Sequence, residues 1–171
     1  MADDARPLIL TLALDGGSFG FFDALRREHF PPERNVVPAH VTLFHALPGE
    51  ERASIGATLD VLCRRRKPMA VAVTGLRFIG RGVSYALESP ELQAVRRELA
   101  GEWEHWLTPQ DGQKFQPHVT IQNKADPKEA RALHQRLSAG FAPFSVRGEG
   151  LILWRYLGGP WEKARAFRFG G

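Results

Sequence analysis

One cysteine, two methionines and two tyrosines are found among 171 residues, and the scarcity of thiols excludes a good deal. Cys63 has no second cysteine to pair with, and it sits in a helical pattern beside Arg64, Arg65 and Arg66 with no His or Cys at ligand spacing. A disulfide framework and a zinc knuckle are both ruled out, and a reducing cytoplasm is the expected setting. Long apolar runs are also missing. The stretch Met1 to Pro7 carries Asp3 and Asp4 in place of a basic region, and the apolar segment after it is too short for a signal or membrane helix. A soluble, untargeted protein is expected. Nor does one sign of charge dominate: 23 Lys and Arg against 19 Asp and Glu leave a net charge of +4. That suits an anionic ligand held in a cleft, where low-dielectric walls focus the field. It does not suit a protein that coats DNA regardless of sequence.

What is present is an ordinary globular composition, 43% hydrophobic and 25% charged, in a chain long enough to bury roughly 70% of its extended surface. Hydrophobic patterning lays out the elements. Leu8 to Asp15 reads as a strand, and Ser18 to His29 as an amphipathic helix closed by Phe30-Pro31-Pro32. His40 to Ala46 is a strand, about Glu50 to Arg66 a helix, and Met69 to Ile79 a strand. The same order then recurs. Gly82 to Glu88 is a strand, Pro90 to Leu107 a helix opened by Ser89, and His118 to Gln122 a strand. Pro127 to Ala139 is a helix capped by Asp126, and Phe144 to Tyr156 a strand. A last strand, Trp161 to Phe169, follows the turn Gly158-Gly159-Pro160.

Local sequence supports a duplication. Leu12-Ala13-Leu14-Asp15 matches Tyr85-Ala86-Leu87-Glu88, Asp23-Ala24-Leu25-Arg26-Arg27 matches Gln93-Ala94-Val95-Arg96-Arg97, and His40-Val41-Thr42-Leu43 matches His118-Val119-Thr120-Ile121. The expected fold is α/β of the α+β kind, two lobes related by a pseudo-twofold axis, each an antiparallel-rich sheet with outer helices. The lobes span about 8–80 and 82–157, with a final strand at about 161–169, in one domain. Only the short Gly80-Arg81-Gly82 turn separates them, so the lobes should be tightly joined and the chain monomeric.

Side chains alternate along a strand, so His40 and Thr42 share one face while Val41 and Leu43 take the other, and His118 and Thr120 repeat the arrangement. Across a shared cleft, two imidazoles and two hydroxyls would surround one point. That set suits a phosphodiester: a neutral imidazole takes a proton from the attacking oxygen, a protonated one gives a proton to the departing oxygen, and the hydroxyls bond the non-bridging oxygens. No metal or cofactor is needed, and with no carboxylate in either motif a zinc site on the two histidines is disfavoured. A single His-x-Thr on a strand is weak. Two copies at equivalent places in a repeat are not.

The two segments resemble the paired His-x-Thr/Ser-x signatures of the two-histidine (2H) phosphoesterase superfamily, in particular the bacterial branch named after 2'-5' RNA ligase, and the resemblance spans nearly the whole chain. It implies a bilobal fold with the motifs lining a central cleft, and a metal-independent activity on RNA ends or small nucleotides. The implied reaction opens a 2',3'-cyclic phosphate to a 2'-phosphate, with reversible 2'-5' joining in some members. It implies His40 as proton donor and His118 as acceptor. An RNA- or nucleotide-binding module with little turnover is the alternative.

Substrate contacts are sought among cations and aromatics near the motifs: Tyr85, Arg77 with Phe78, Lys114 with Phe115 just ahead of His118, and Arg155 beside Trp154 and Tyr156. His45, at an odd offset from Thr42, should face away from the cleft and pack. His29, His105 and His134 lie in or beside helices and lack metal-ligand spacing. Arg64 to Lys67 and the repeated pairs Arg26-Arg27 and Arg96-Arg97 are expected on solvated helix faces.

Overall fold

The computed structural model of the chain describes residues 5–170; Asp3 and Asp4 lie outside them. The described residues form seven strands and four α-helices in the order β1 (Leu8–Leu14), α1 (Gly16–His29), β2 (Thr42–Leu47), α2 (Arg52–Arg65), β3 (Met69–Phe78), β4 (Val83–Glu88), α3 (Pro90–Glu102), β5 (His118–Gln122), α4 (Pro127–Ala139), β6 (Phe144–Tyr156) and β7 (Trp161–Arg168). None of these helices is long and apolar enough to cross a membrane.

Side-chain caps set three of the helix starts. Asp15 accepts from the Ser18 amide, Ser89 from Leu92 and Asp126 from Lys128, and proline follows the cap in α3 and α4, where its missing N–H costs nothing. Helix α3 is shorter than its sequence pattern. It ends at Glu102, because Trp103 leaves helical geometry and sinks its ring against Phe44, with centroids 5.2 Å apart. A 3₁₀ turn, Glu104–Trp106, covers most of the remainder.

All pairings are antiparallel, in the order β2-β1-β6-β3-β4-β5, with β7 also on β6. The two sheets expected from the sequence are joined as one hydrogen-bonded network, because β6 is long enough to serve both halves. Phe144 to Gly148 pair with β3, Gly148 to Arg155 with β1, and Gly150 to Tyr156 with β7. The halves therefore exchange strands. The first strand of each, β1 or β4, lies beside the third strand of the other, β6 or β3.

The first helices cross over in the same way. Helix α1 packs on β5, where Phe22 meets Tyr85 of β4 at 5.4 Å, and Arg96 of α3 lies 4.0 Å from the Phe44 ring centroid of β2. Helix α2 rests on β6 and β7, and α4 on β3 and β4. Burial on both faces explains why β1 reads as the nearly unbroken apolar run Leu8 to Leu14.

The turn between the halves depends on glycine. Gly80 has a φ of 87°, a conformation open to glycine at no steric cost, and the Ile79 amide donates to the Gly82 carbonyl at 2.9 Å. A Cβ on Gly82 would stand 1.8 Å from the Gln122 carbonyl oxygen. Gly82→Ala is therefore expected to cost about 3 kcal/mol, because backbone of β4 or β5 must move. Urea unfolding checks this, and a midpoint equal to that of the parent chain would refute it.

Candidate active site

The two motif strands carry matched irregularities. Thr11 pairs with Thr42 and Leu10 with Phe44, so Leu43 is an extra residue. Ser84 pairs with Thr120 and Val83 with Gln122, so Ile121 is extra. A bulge directly after each threonine flips the alternation of the residues beyond it. Phe44 is thereby sent into the core beside Leu43, and His45, expected to point away, comes round to the side of Thr42 and lines a cavity with it. This corrects the strand-alternation argument for His45. His40 itself lies just before β2, on a segment held by the Leu12 amide donating to the Val41 carbonyl at 2.9 Å.

The imidazoles are oriented by the same local device. His40 Nδ1 is 2.8 Å from the Pro38 carbonyl and His118 Nδ1 is 2.9 Å from the Gln116 carbonyl, each two residues upstream. A carbonyl only accepts, so Nδ1 carries the hydrogen in both rings and Nε2 is left for a substrate. Burial pushes the half-buried His40 imidazole down to about 4. The Pro38 carbonyl works against this, while the positive charges of Arg26, His118 and His45 add to it.

Thr42 and His118 line one cavity of about 320 Å³ with His45, Arg77, Arg96, Lys114 and Phe115. His40 lines a neighbouring cavity of about 380 Å³ with Phe19, Trp154 and Lys163, and the Trp161 ring of β7 stands 4.5 Å from its own. Thr120 lines neither of these; it pairs with Ser84 of β4. The first cavity is polar and cationic, the second aromatic. A larger hollow of about 660 Å³, between Phe21, Tyr85 and Phe141, holds none of the four motif residues.

Of the candidate substrate contacts, Arg77, Lys114 and Phe115 lie in the His118 cavity. Tyr85 does not. It points to the opposite face of β4 and is buried among Phe21, Phe22, Phe141 and Phe144. Arg155 is turned to Glu162 of β7, with Nε 2.9 Å from its carboxylate. The expectation for the arginine pairs also needs correction. Arg27 is exposed, but Arg26 and Arg96 are only 4% and 7% accessible, because each runs inward from its helix to a main-chain carbonyl of the opposite half's motif. Arg26 Nη1 donates to Thr120 and Arg96 Nε to Leu43, both at 2.8 Å.

The sequence also conceals Asp111. Its buried carboxylate accepts from the His45 amide at 2.8 Å, the Ala46 amide at 3.0 Å and His45 Nδ1 at 2.9 Å. Burial pulls its pKa up, but these hydrogen bonds and the His45 charge outweigh burial and hold it below the usual carboxylate range. Its loop, between Trp106 and β5, has no periodicity that would single it out. The aromatics around His40 had a weak signal only, in the alternation of the last strand.

A family model described as the 2'-5' RNA ligase superfamily matches residues 16–160. Comparison with curated protein sequences finds no match. Among solved structures, TT0787 of Thermus thermophilus is similar with a TM-score of 0.61 at 19% identity, over 96% of this chain and 98% of that one. E. coli LigT complexed with 3'-AMP is similar with a TM-score of 0.60 at 17% identity, over 97% and 99%. A structure described as a phosphoesterase reaches 0.59 at 18% identity, over 98% and 99%. At these identities the likeness speaks for the fold.

Proposed function

The chain belongs to the 2'-5' RNA ligase superfamily, a branch of the two-histidine phosphoesterases, and from that premise we propose that it is a metal-independent phosphodiesterase that opens 2',3'-cyclic phosphates on RNA ends or small nucleotides to 2'-phosphates. His40, Thr42, His118 and Thr120 are the catalytic residues of this reading. One domain made of two interlocked halves supplies one motif each.

The observation that carries it is the matched pair of imidazoles, each with Nδ1 tied to the carbonyl two residues upstream and each followed by a threonine and a bulge. Both rings leave Nε2 to move a proton, which general acid-base attack on a phosphodiester requires of two groups. In the assigned roles His118 Nε2 takes a proton from water as the water oxygen bonds to phosphorus. The P–O3' bond breaks, and His40, which takes up a second proton at Nε2 from solvent together with the anionic substrate, protonates the departing O3'. Thr42 and Thr120 hydroxyls donate to the non-bridging oxygens, whose charge grows in the transition state. With a 5'-hydroxyl in place of water, the same forward transfers form a 2'-5' linkage, and their reversal cleaves it.

The cavities fit a nucleotide. Arg77 and Lys114 supply cations beside His118 and Thr42, while Phe19, Trp154 and Trp161 flank His40 with faces on which a base can stack. E. coli LigT, similar in fold, has been solved with 3'-AMP and with ATP, which supports a nucleotide ligand here. Incubation with 2',3'-cyclic mononucleotides and short RNAs ending in cyclic phosphate, with chelator throughout, should release 2'-phosphate products. Absence of turnover across that panel would refute the reading.

A further inference from the structure

The two motif strands match through their threonines and bulges, but not one step beyond them. Counting on from Thr42 and Thr120, His45 stands where the second half has Asn123. The Asn123 side-chain oxygen accepts from the Lys124 amide at 2.8 Å, a local turn contact. His45 Nδ1 is instead 2.9 Å from the buried Asp111 carboxylate. A carboxylate only accepts, so Nδ1 carries the hydrogen, and Nε2 is the free nitrogen of a ring that lines a cavity with Thr42 and His118. The His45 and Ala46 amides alone suffice to hold Asp111 on β2, yet the imidazole is engaged as well while 42% of its side chain stays accessible.

Another wall of this cavity is the loop after Trp106, which α3 holds at two points. Arg96 donates to the Asp111 carbonyl, and Gln93 Nε2 to the Phe115 carbonyl at 3.2 Å. Between those points lies exposed Lys114, which has no ion-pair partner among the described residues. The lining holds three cations, Arg77, Arg96 and Lys114, against the one carboxylate of Asp111, a net charge of +2 with the histidines neutral. A cyclic phosphodiester at the motifs brings a single negative charge, so a further phosphate matches what remains. Position agrees with charge. Once the bulge is discounted, His45 follows Thr42 on the same side of β2 at about two residue rises, roughly 7 Å along the strand. That is too far to share the oxygens that Thr42 holds, and within reach of the next phosphate on the same molecule.

We propose that His45, oriented by Asp111, forms with Lys114 a subsite for a second phosphate, so that the favoured substrates are nucleotides or RNA ends bearing a phosphate besides the one attacked. Arg77 adds its charge from β3. A proton from solvent enters at His45 Nε2 together with the anion, and Nε2–H then donates to a phosphate oxygen, with the Asp111 carboxylate as counter-ion of the imidazolium. The titratable and charged groups facing His45 are Asp111 and Lys114 on the loop, Arg96 on α3, Arg77 on β3 and His118 on β5. Only the naming of the first phosphate as the one attacked rests on the phosphoesterase reading.

Calorimetric titration tests the subsite without turnover. Adenosine 2',5'-bisphosphate should bind about tenfold tighter than adenosine 2'-phosphate, the scale of a hydrogen bond to a charged group. His45→Gln and Lys114→Met should each bring the two affinities to within about threefold of one another. Lys114→Met alters only an exposed side chain and decides the matter if His45→Gln does not fold. In turnover, 5'-phosphorylated 2',3'-cyclic AMP and a dinucleotide ending in cyclic phosphate are each set against 2',3'-cyclic AMP. A gain in kcat/KM for the first assigns the subsite to a terminal phosphate, and a gain for the second to an internucleotide phosphate. Equal affinities for the two adenosine phosphates, a preference that survives either variant, or turnover in which neither larger substrate gains would overturn the proposal. So would equal losses for both ligands in His45→Gln, the mark of a ring that only fastens the loop. No turnover of any substrate, with the bisphosphate still preferred, would count against the phosphoesterase reading and leave the subsite standing.

Discussion

His118→Ala should lower turnover of a 2',3'-cyclic nucleotide by roughly a hundred- to ten-thousand-fold, the range that a single positioned acid or base contributes, while a 3'-nucleotide still binds. His40→Ala should do the same. The rings are tied down by local carbonyl contacts, and His118 is exposed, so truncation removes a proton carrier without opening the core. The double variant should be little worse than either single one, because groups that act as a unit lose their joint effect once one is gone. Rapid-quench product analysis for rate and nucleotide titration for affinity separate the outcomes. A protein that only binds nucleotides has no rate to lose, and equal rates for parent and variants would remove both histidines from the chemistry. Losses that multiply in the double variant would mean that they act independently.

The largest stability loss is expected at Asp111, away from the reacting atoms. Asp111→Ala strands the His45 and Ala46 amides and leaves the Arg96 guanidinium without its compensating charge. Breaking one side of a buried ionic cluster typically costs about 3–5 kcal/mol, and the bulged β2 that carries Thr42 should loosen with it. The sign of the pH dependence follows from the lowered carboxyl pKa. Stability from this group is present in full above its ordinary value of 3.8 and is lost as the pH falls through that value toward the lower folded one. Urea midpoints measured from neutral pH downward should show the parent chain approaching Asp111→Ala at the acid end. Parallel curves, or a variant as stable as its parent at neutral pH, would refute the assignment.

How far these features could be read in advance depended on whether they were periodic. The β5 and α4 boundaries coincide with the sequence pattern because Pro117 and the capping Asp126 mark them, and the β6 boundaries coincide with it too. The His-Thr motifs were legible as a repeat. Strand parity alone turns His45 away from Thr42, because a bulge has no signature in the residues of β2 and parity follows only from the partner register. Helical spacing alone places Arg26 and Arg96 among solvated cations, because it says nothing about a neighbouring chain segment that arrives more than fifty residues away in sequence. Their match between halves was visible, but its meaning required the crossed helices. Asp111 required a tertiary contact 66 residues distant, and Tyr85 an aromatic cluster drawn from α1, β6 and the loop before it.

The crossed strand pairing also sets a timetable for synthesis. Strand β1 leaves the ribosome well before β6, yet one of its edges waits for that strand, whose residues begin at Phe144. At ordinary elongation rates that is a wait on the order of ten seconds. Throughout it, an apolar strand stands half-paired, a template for unwanted association. The hairpin of β3 and β4, by contrast, can close as soon as it emerges, so this pair, one strand from each half, offers a finished seed onto which β6, once made, fastens β1.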